Sequence, residues 1–150
     1  MKLIRDLKEF IELLNSRRVE YVLVGGWAFG FHATPRYTGE IDFFLKCDAI
    51  NAARLKEALQ AFGFEDLPEF EDTFLQPDRI LQFGVPPNRI DILTQISGVT
   101  FADAWSSRVH GEIDGLQVPI ISRECLLRNK SAAGRPKDIA DADALKKTAQ

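Results

Sequence analysis

Three acids sit where acids are costly. Glu40 and Asp42 interrupt the apolar run GEIDFFL, and Asp91 lies between two isoleucines in RIDIL. Side chains two apart on a strand leave the same face, so Glu40 and Asp42 project together, roughly 7 Å apart at the backbone. Carboxylates gathered in apolar surroundings repel one another and require a metal ion or basic groups beside them. If the Asp91 strand lies next to the Glu40 strand, the three acids form a site that holds two Mg²⁺ ions, or Mn²⁺, against a triphosphate. The alternative for Glu40 and Asp42 is an exposed strand end, where both are simply solvated.

A second feature lies just upstream. The β-branched and aromatic stretch Val19 to Val24 predicts a buried strand that runs into Gly25 and Gly26. Trp27 to Ala33 predicts a short helix, which stops before Thr34 because the residue preceding Pro35 avoids helical backbone angles. Free N–H groups at such a helix start favour bound phosphate, although a tight turn is the plainer use of paired glycines. Arg36 and Thr38 fall between this helix and the acidic strand. Near the C-terminus, Arg123, Arg128, Lys130, Arg135 and Lys137 make either an anion site or a surface patch. Asp138 and Asp141 are expected to cap and pair within the last helix. His32 and His110 are too few and too isolated for a zinc site, and no P-loop, Gly-x-Gly-x-x-Gly or Gly-x-Ser-x-Gly motif is present. Trp27, Phe29, Phe31 and Tyr37 either pack in the core or stack on a base.

Elements that could carry these residues follow from periodicity. Apolar spacing of three and four predicts a helix over Leu3 to Arg17. Glu40 to Leu45 predicts a strand, and Asp48 opens a helix through Ala61 with its apolar face at Ile50, Ala53, Leu55, Ala58 and Leu59. The acidic stretch between Glu65 and Asp78 is expected to be mainly a solvated loop. Arg79 to Val85 and Arg89 to Ile96 predict an antiparallel hairpin. After a short helix at Phe101 to Ser107, Val109 to Ile113 and Leu116 to Ile120 predict a second hairpin turning at Asp114 and Gly115. Helices at Ser122 to Lys130 and Pro136 to Lys147 close the chain. This order implies an α/β (α+β) architecture, a mixed β-sheet layered with helices.

The 150 residues fit one domain, 1–150, with C-terminal helices at about 122–147, and 45% hydrophobic content suffices for a core. A net charge of −3 argues against coating nucleic acid or an anionic membrane by bulk attraction. Cys47 and Cys125 form no framework of disulfides, and no stretch reads as a signal peptide or membrane span, so the expected location is cytoplasmic.

Strand, Gly-Gly, short helix, acid-x-acid and a third acid on a later strand together resemble the nucleotidyltransferase superfamily with the polymerase-beta-like fold. GGWAFGFHATPRYTGEIDFFL and LLRNKSAAGRPKDIADADAL look like the branch of small bacterial proteins that includes AbiEii-type toxins of toxin–antitoxin systems. The resemblance implies that Gly25 and Gly26 cradle the triphosphate of an NTP. It also implies that Glu40, Asp42 and Asp91 form the metal site, and that Asp91 helps activate the acceptor hydroxyl. Arg36, Thr38 and Lys130 match positions that face phosphate. The acceptor implied is a tRNA, a protein or a small molecule, and a homodimer or toxin–antitoxin partner would complete so small a site. Glu40 stands where the family carries Asp, which leaves a nonenzymatic nucleotide-binding or partner-binding module as the alternative.

Overall fold

The structure is a computed structural model that describes residues 5–64 and 74–148. The start of the first expected helix and most of the acidic stretch, residues 65–73, lie outside the described residues; residues 75–78 are turn and bend. In chain order the elements are α1 (Arg5–Ser16), β1 (Tyr21–Val24), α2 (Gly25–His32), β2 (Glu40–Leu45), α3 (Ala49–Phe62), β3 (Ile80–Phe83), β4 (Arg89–Leu93), α4 (Phe101–Ser106), β5 (Val109–Ile113), β6 (Leu116–Ile120), α5 (Arg123–Ala133) and α6 (Pro136–Lys147). The six strands form one mixed sheet in the order β3-β4-β2-β1-β6-β5. The two hairpins are its outer thirds, and β2 runs antiparallel to β1 and parallel to β4.

Strand alternation divides the core between the two faces. Phe10 of α1 meets Phe43 and Phe62 edge-on at 5.6 and 5.2 Å, and Tyr21 meets Phe43 at 5.4 Å, so α1 and α3 cover the face carrying Tyr21 and Phe43. Such aromatic pairs each contribute about 0.5–1.5 kcal/mol beyond burial. Phe44 points the other way and packs on Phe101 of α4 at 5.3 Å. Glu40 and Asp42 share this second face by the period of two.

Several boundaries differ from expectation for identifiable reasons. The helix α2 begins at Gly25 itself, whose φ of +70° is a left-handed value that glycine adopts freely. β3 is shorter than Arg79 to Val85, stopping before Gly84 at φ +75°, and β4 ends at Leu93 rather than Ile96. On α3 the expected apolar face is rotated: Ile50 is 67% exposed, Ala53 is exposed, and Asn51 and Ala52 are buried instead. Asn51 earns that position through hydrogen bonds. Its Oδ1 accepts from Glu20 N at 2.7 Å, and its Nδ2 donates to the Glu20 and Lys46 carbonyls at 2.9 and 2.8 Å. The Asp48 side chain caps the helix by accepting from Asn51 N at 2.7 Å.

Candidate active site

The parallel register of β2 and β4 sets Asp42 opposite Asp91 and Glu40 opposite Arg89. The three carboxylates therefore converge, with one oxygen from each of Glu40, Asp42 and Asp91 lying within 4.8 Å of the others. The extra methylene of Glu40 does not carry its carboxylate out of reach. β1 places Val24 beside Asp42, and the chain turns at once into α2. A Cβ on Gly25 would fall 2.1 Å from Asp42 Oδ2, and one on Gly26 would fall 3.0 Å from Thr38 Oγ1. The first glycine thus lets backbone lie against a carboxylate, a closeness no side chain permits. No side chain caps α2 at Val24, which leaves its first-turn N–H groups available to a ligand.

Crowding shows in the electrostatics. Burial, the charges of Asp91 and Glu40, and a hydrogen bond with Asp91 push the Asp42 carboxyl up to about 7, with Arg89 opposing the rise. An acidic trio in this state fits a hard divalent cation, which takes carboxylate oxygens and relieves their repulsion.

The buried Asp91 has a partner that sequence spacing did not flag. Arg89, two residues earlier on the same face of β4, donates from Nε to Oδ1 at 2.9 Å and from Nη2 to Oδ2 at 3.0 Å. The same Nη2 lies 3.9 Å from Glu40 Oε2. The i, i+2 spacing of Arg and Asp was the available signal.

A cavity of about 610 Å³ opens over Glu40 and Asp42, with Gly25, Gly26, Arg36, Thr38 and Lys130 also in its wall. Asp91 is buried behind this wall. Thr38 Oγ1 donates to the Glu40 carbonyl at 3.0 Å, pinning the entry to β2. Tyr37, 80% exposed, also faces the cavity, whereas Phe29 is buried beneath Arg36. His32 Nε2 lies 2.6 Å from the Ile121 carbonyl, away from any metal-binding group.

At the far wall the expectation for Asp138 and Asp141 is met by the first and corrected for the second. Asp138, in the first turn of α6, accepts from the backbone and the side chain of the N-cap residue Arg135, whereas Asp141 reaches out of the helix. Asp141 instead receives Arg36 through two bonds of 2.7 and 2.9 Å, and Lys130 Nζ at 3.1 Å. Asp138 takes Arg135 at 2.6 Å and Lys130 at 3.5 Å. Lys130 is consequently buried rather than an exposed helix end, and Arg36, itself still exposed, stacks 4.2 Å over the Phe29 ring. Burial raises the Asp141 carboxyl, but bonds from Arg36 and Lys130 outweigh it and hold the group below the usual carboxylate range. Arg135 does the same for Asp138. Of the remaining basic cluster, Arg128 pairs with Asp103 at 3.0 Å, and Arg123 reaches the His32 carbonyl, so neither faces the trio.

A mixed sheet that brings an acid-x-acid strand beside a third acid defines the nucleotidyltransferase class. The solved lincosamide antibiotic adenylyltransferase LnuA, in its lincomycin-bound form, shares this fold with a TM-score of 0.60 over 98% of each chain, at 15% identity. Residues 6–145 match the model of the aminoglycoside-2''-adenylyltransferase family, and the chain belongs to that family. No curated protein matches the chain closely enough to identify a relative. No described helix is long and apolar enough to cross a membrane.

Proposed function

We propose that the protein transfers a nucleoside monophosphate, with AMP as the first choice, from an NTP to a hydroxyl of a small acceptor. The observation that carries this is the convergence of Glu40, Asp42 and Asp91 beside the uncapped start of α2, with Glu40 and Asp42 in the wall of a cavity of about 610 Å³ and Asp91 behind them. Glu40, Asp42 and Asp91 would hold Mg²⁺ or Mn²⁺, which when bound supplies charge stabilisation at the α-phosphate and the leaving pyrophosphate. The N–H groups of Gly25 and Gly26 face the phosphates from one side, and Arg36 and Lys130 do so from the other. Thr38 holds the β2 entry in place.

In the reaction the acceptor oxygen bonds to the α-phosphorus, the bond to the β-phosphate bridging oxygen breaks, and the hydroxyl proton passes to Asp91. Pyrophosphate leaves. The adenylyltransferase family and the antibiotic-acting fold neighbour favour a small, hydroxyl-rich acceptor over tRNA or protein. The test is incubation with α-labelled ATP, GTP, CTP and UTP and a panel of amino sugars, lincosamides, tRNA and protein. Label moves to a small molecule with the wild type and not with Asp42→Ala. Equal signals from both proteins would reject the site. Retained nucleotide binding without turnover on any acceptor would instead identify the nonenzymatic module, including a toxin–antitoxin component.

A further inference from the structure

Arg89 sets a cation directly against the acidic trio. β4 alternation puts it on the face of Asp91, and the register puts it across from Glu40. Its guanidinium forks onto both oxygens of Asp91 at 2.9 and 3.0 Å and approaches Glu40 at 3.9 Å. The Asp91 side chain is 5% exposed and that of Arg89 28%, so the acid is shielded from water while the guanidinium keeps an edge toward solvent. Of the charges acting on Asp42, Arg89 is the one that opposes the two neighbouring acids. One positive charge against three acids leaves the site partly neutralised before any ion arrives.

A fixed positive charge within a few ångströms of a divalent ion repels it, and a carboxylate already gripped by a fork offers fewer lone pairs for coordination. A triphosphate brings oxygen ligands of its own and enough negative charge to offset the guanidinium. We propose that Arg89 is a positioning residue that keeps the trio from retaining a free divalent ion, so that the ion is held firmly only together with the nucleotide. The inference rests on the nucleotidyl-transfer assignment of this site. It adds an order to binding: metal and triphosphate enter as one unit, and Arg89 releases Asp91 when they do.

Mn²⁺ binding to the whole chain tests this at pH 8, by electron paramagnetic resonance, with and without α,β-methylene-ATP. The wild type is expected to bind Mn²⁺ weakly alone and roughly tenfold or more tightly with the analogue, by the size of one neighbouring charge. Arg89→Met is expected to bind Mn²⁺ alone roughly tenfold more tightly than wild type, with a smaller gain from the analogue. Arg89→Lys, which keeps the charge and loses the fork, is expected to stay near wild type. Wild-type affinity that is equal with and without the analogue overturns the proposal even if neither variant folds. So does a folded Arg89→Met whose affinity is unchanged or weaker, or an Arg89→Lys that binds Mn²⁺ alone as tightly as an Arg89→Met that has gained affinity. Absence of Mn²⁺ binding by every form, analogue present or not, would instead overturn the nucleotidyl-transfer assignment itself.

Discussion

Two clusters of charge, each built around buried or half-buried acids, border the same cavity and are settled in opposite ways. At the junction of α5 and α6, two carboxylates, Asp138 and Asp141, meet three cations, Arg36, Lys130 and Arg135. Both acids are held below their ordinary range. Across the cavity, three carboxylates meet one cation, and Asp42 is pushed up to about 7. The first cluster is complete without a ligand and leaves one positive charge over. The second is under-neutralised. A fold that satisfies its acids at one wall and leaves them crowded at the other fits the proposal that the second receives a cation.

That contrast makes the effects of removing one acid differ in kind. Asp42→Ala should lower label transfer at least about 10³-fold, the scale of losing a central electrostatic group, while the melting temperature without metal holds or rises by a few degrees. Asp141→Ala should do the reverse in its main effect. It strands Arg36 and leaves the buried Lys130 only Asp138 at 3.5 Å, and breaking a buried pair costs up to about 3–5 kcal/mol, readable by urea denaturation. Equal destabilisation by both substitutions would show that the acidic trio is merely another structural ion-pair cluster.

The sequence pattern carried the local pieces of this contrast and not its pairings. Strand alternation identified β2, β5 and β6 at their observed limits, and the Pro136 to Lys147 helix as well, because hydrophobic period and Gly or Pro punctuation are local properties. It also made Glu40, Asp42 and Asp91 conspicuous as acids among apolar residues. Whether they meet depends on β2 lying parallel to β4, with α3 and the β3 hairpin strand between them in sequence, and no spacing rule fixes that. Arg36 and Asp141 are 105 residues apart, so their two-bond pair is invisible locally, and the local pattern offers Asp141 only partners within its own helix. Asn51 was passed over because a polar residue on a helix face looks like a break in the apolar pattern, whereas here it bonds to three backbone groups.

The pH dependence of stability should separate the two clusters again, with a smaller effect. Asp42 holds its proton in the folded state well above the ordinary value of 3.8. The native state therefore binds more protons between about pH 4 and 7, and stability falls as pH rises through that window. Asp138 and Asp141 have the opposite sign: their contribution is present above the ordinary carboxylate range and is lost as pH drops below it. Metal-free protein in urea should thus be most stable near pH 4–5, losing on the order of 1–3 kcal/mol toward pH 7. Asp42→Asn should flatten the upper slope and leave the acid limb intact. Millimolar Mg²⁺ with nucleotide should flatten it too, by relieving the same repulsion. A wild-type profile that rises steadily to pH 7 would show that the trio is already neutralised within the protein.

The finest distinction concerns Glu40, whose side chain is 35% exposed and which stands where the sequence resemblance implies aspartate. Its carboxylate lies within 4.8 Å of the other two and 3.9 Å from Arg89, so the longer side chain already completes the cluster. Glu40→Asp withdraws that carboxylate by about one bond length, and a misplacement near 1 Å costs up to about a hundredfold when the group is central. Because Asp42 and Asp91 sit deeper and hold the core of the cluster, the expected loss in label transfer is smaller, roughly tenfold, with no change in urea midpoint. The position of Gly25 sharpens the point. Backbone at residues 25 and 26 is pressed against Asp42 and Thr38, so the phosphate-facing wall cannot follow a retreating carboxylate at residue 40. A gain in turnover well beyond tenfold on shortening this side chain would mean that the wall is set for aspartate, and that Glu40 holds the enzyme below the rate its fold supports.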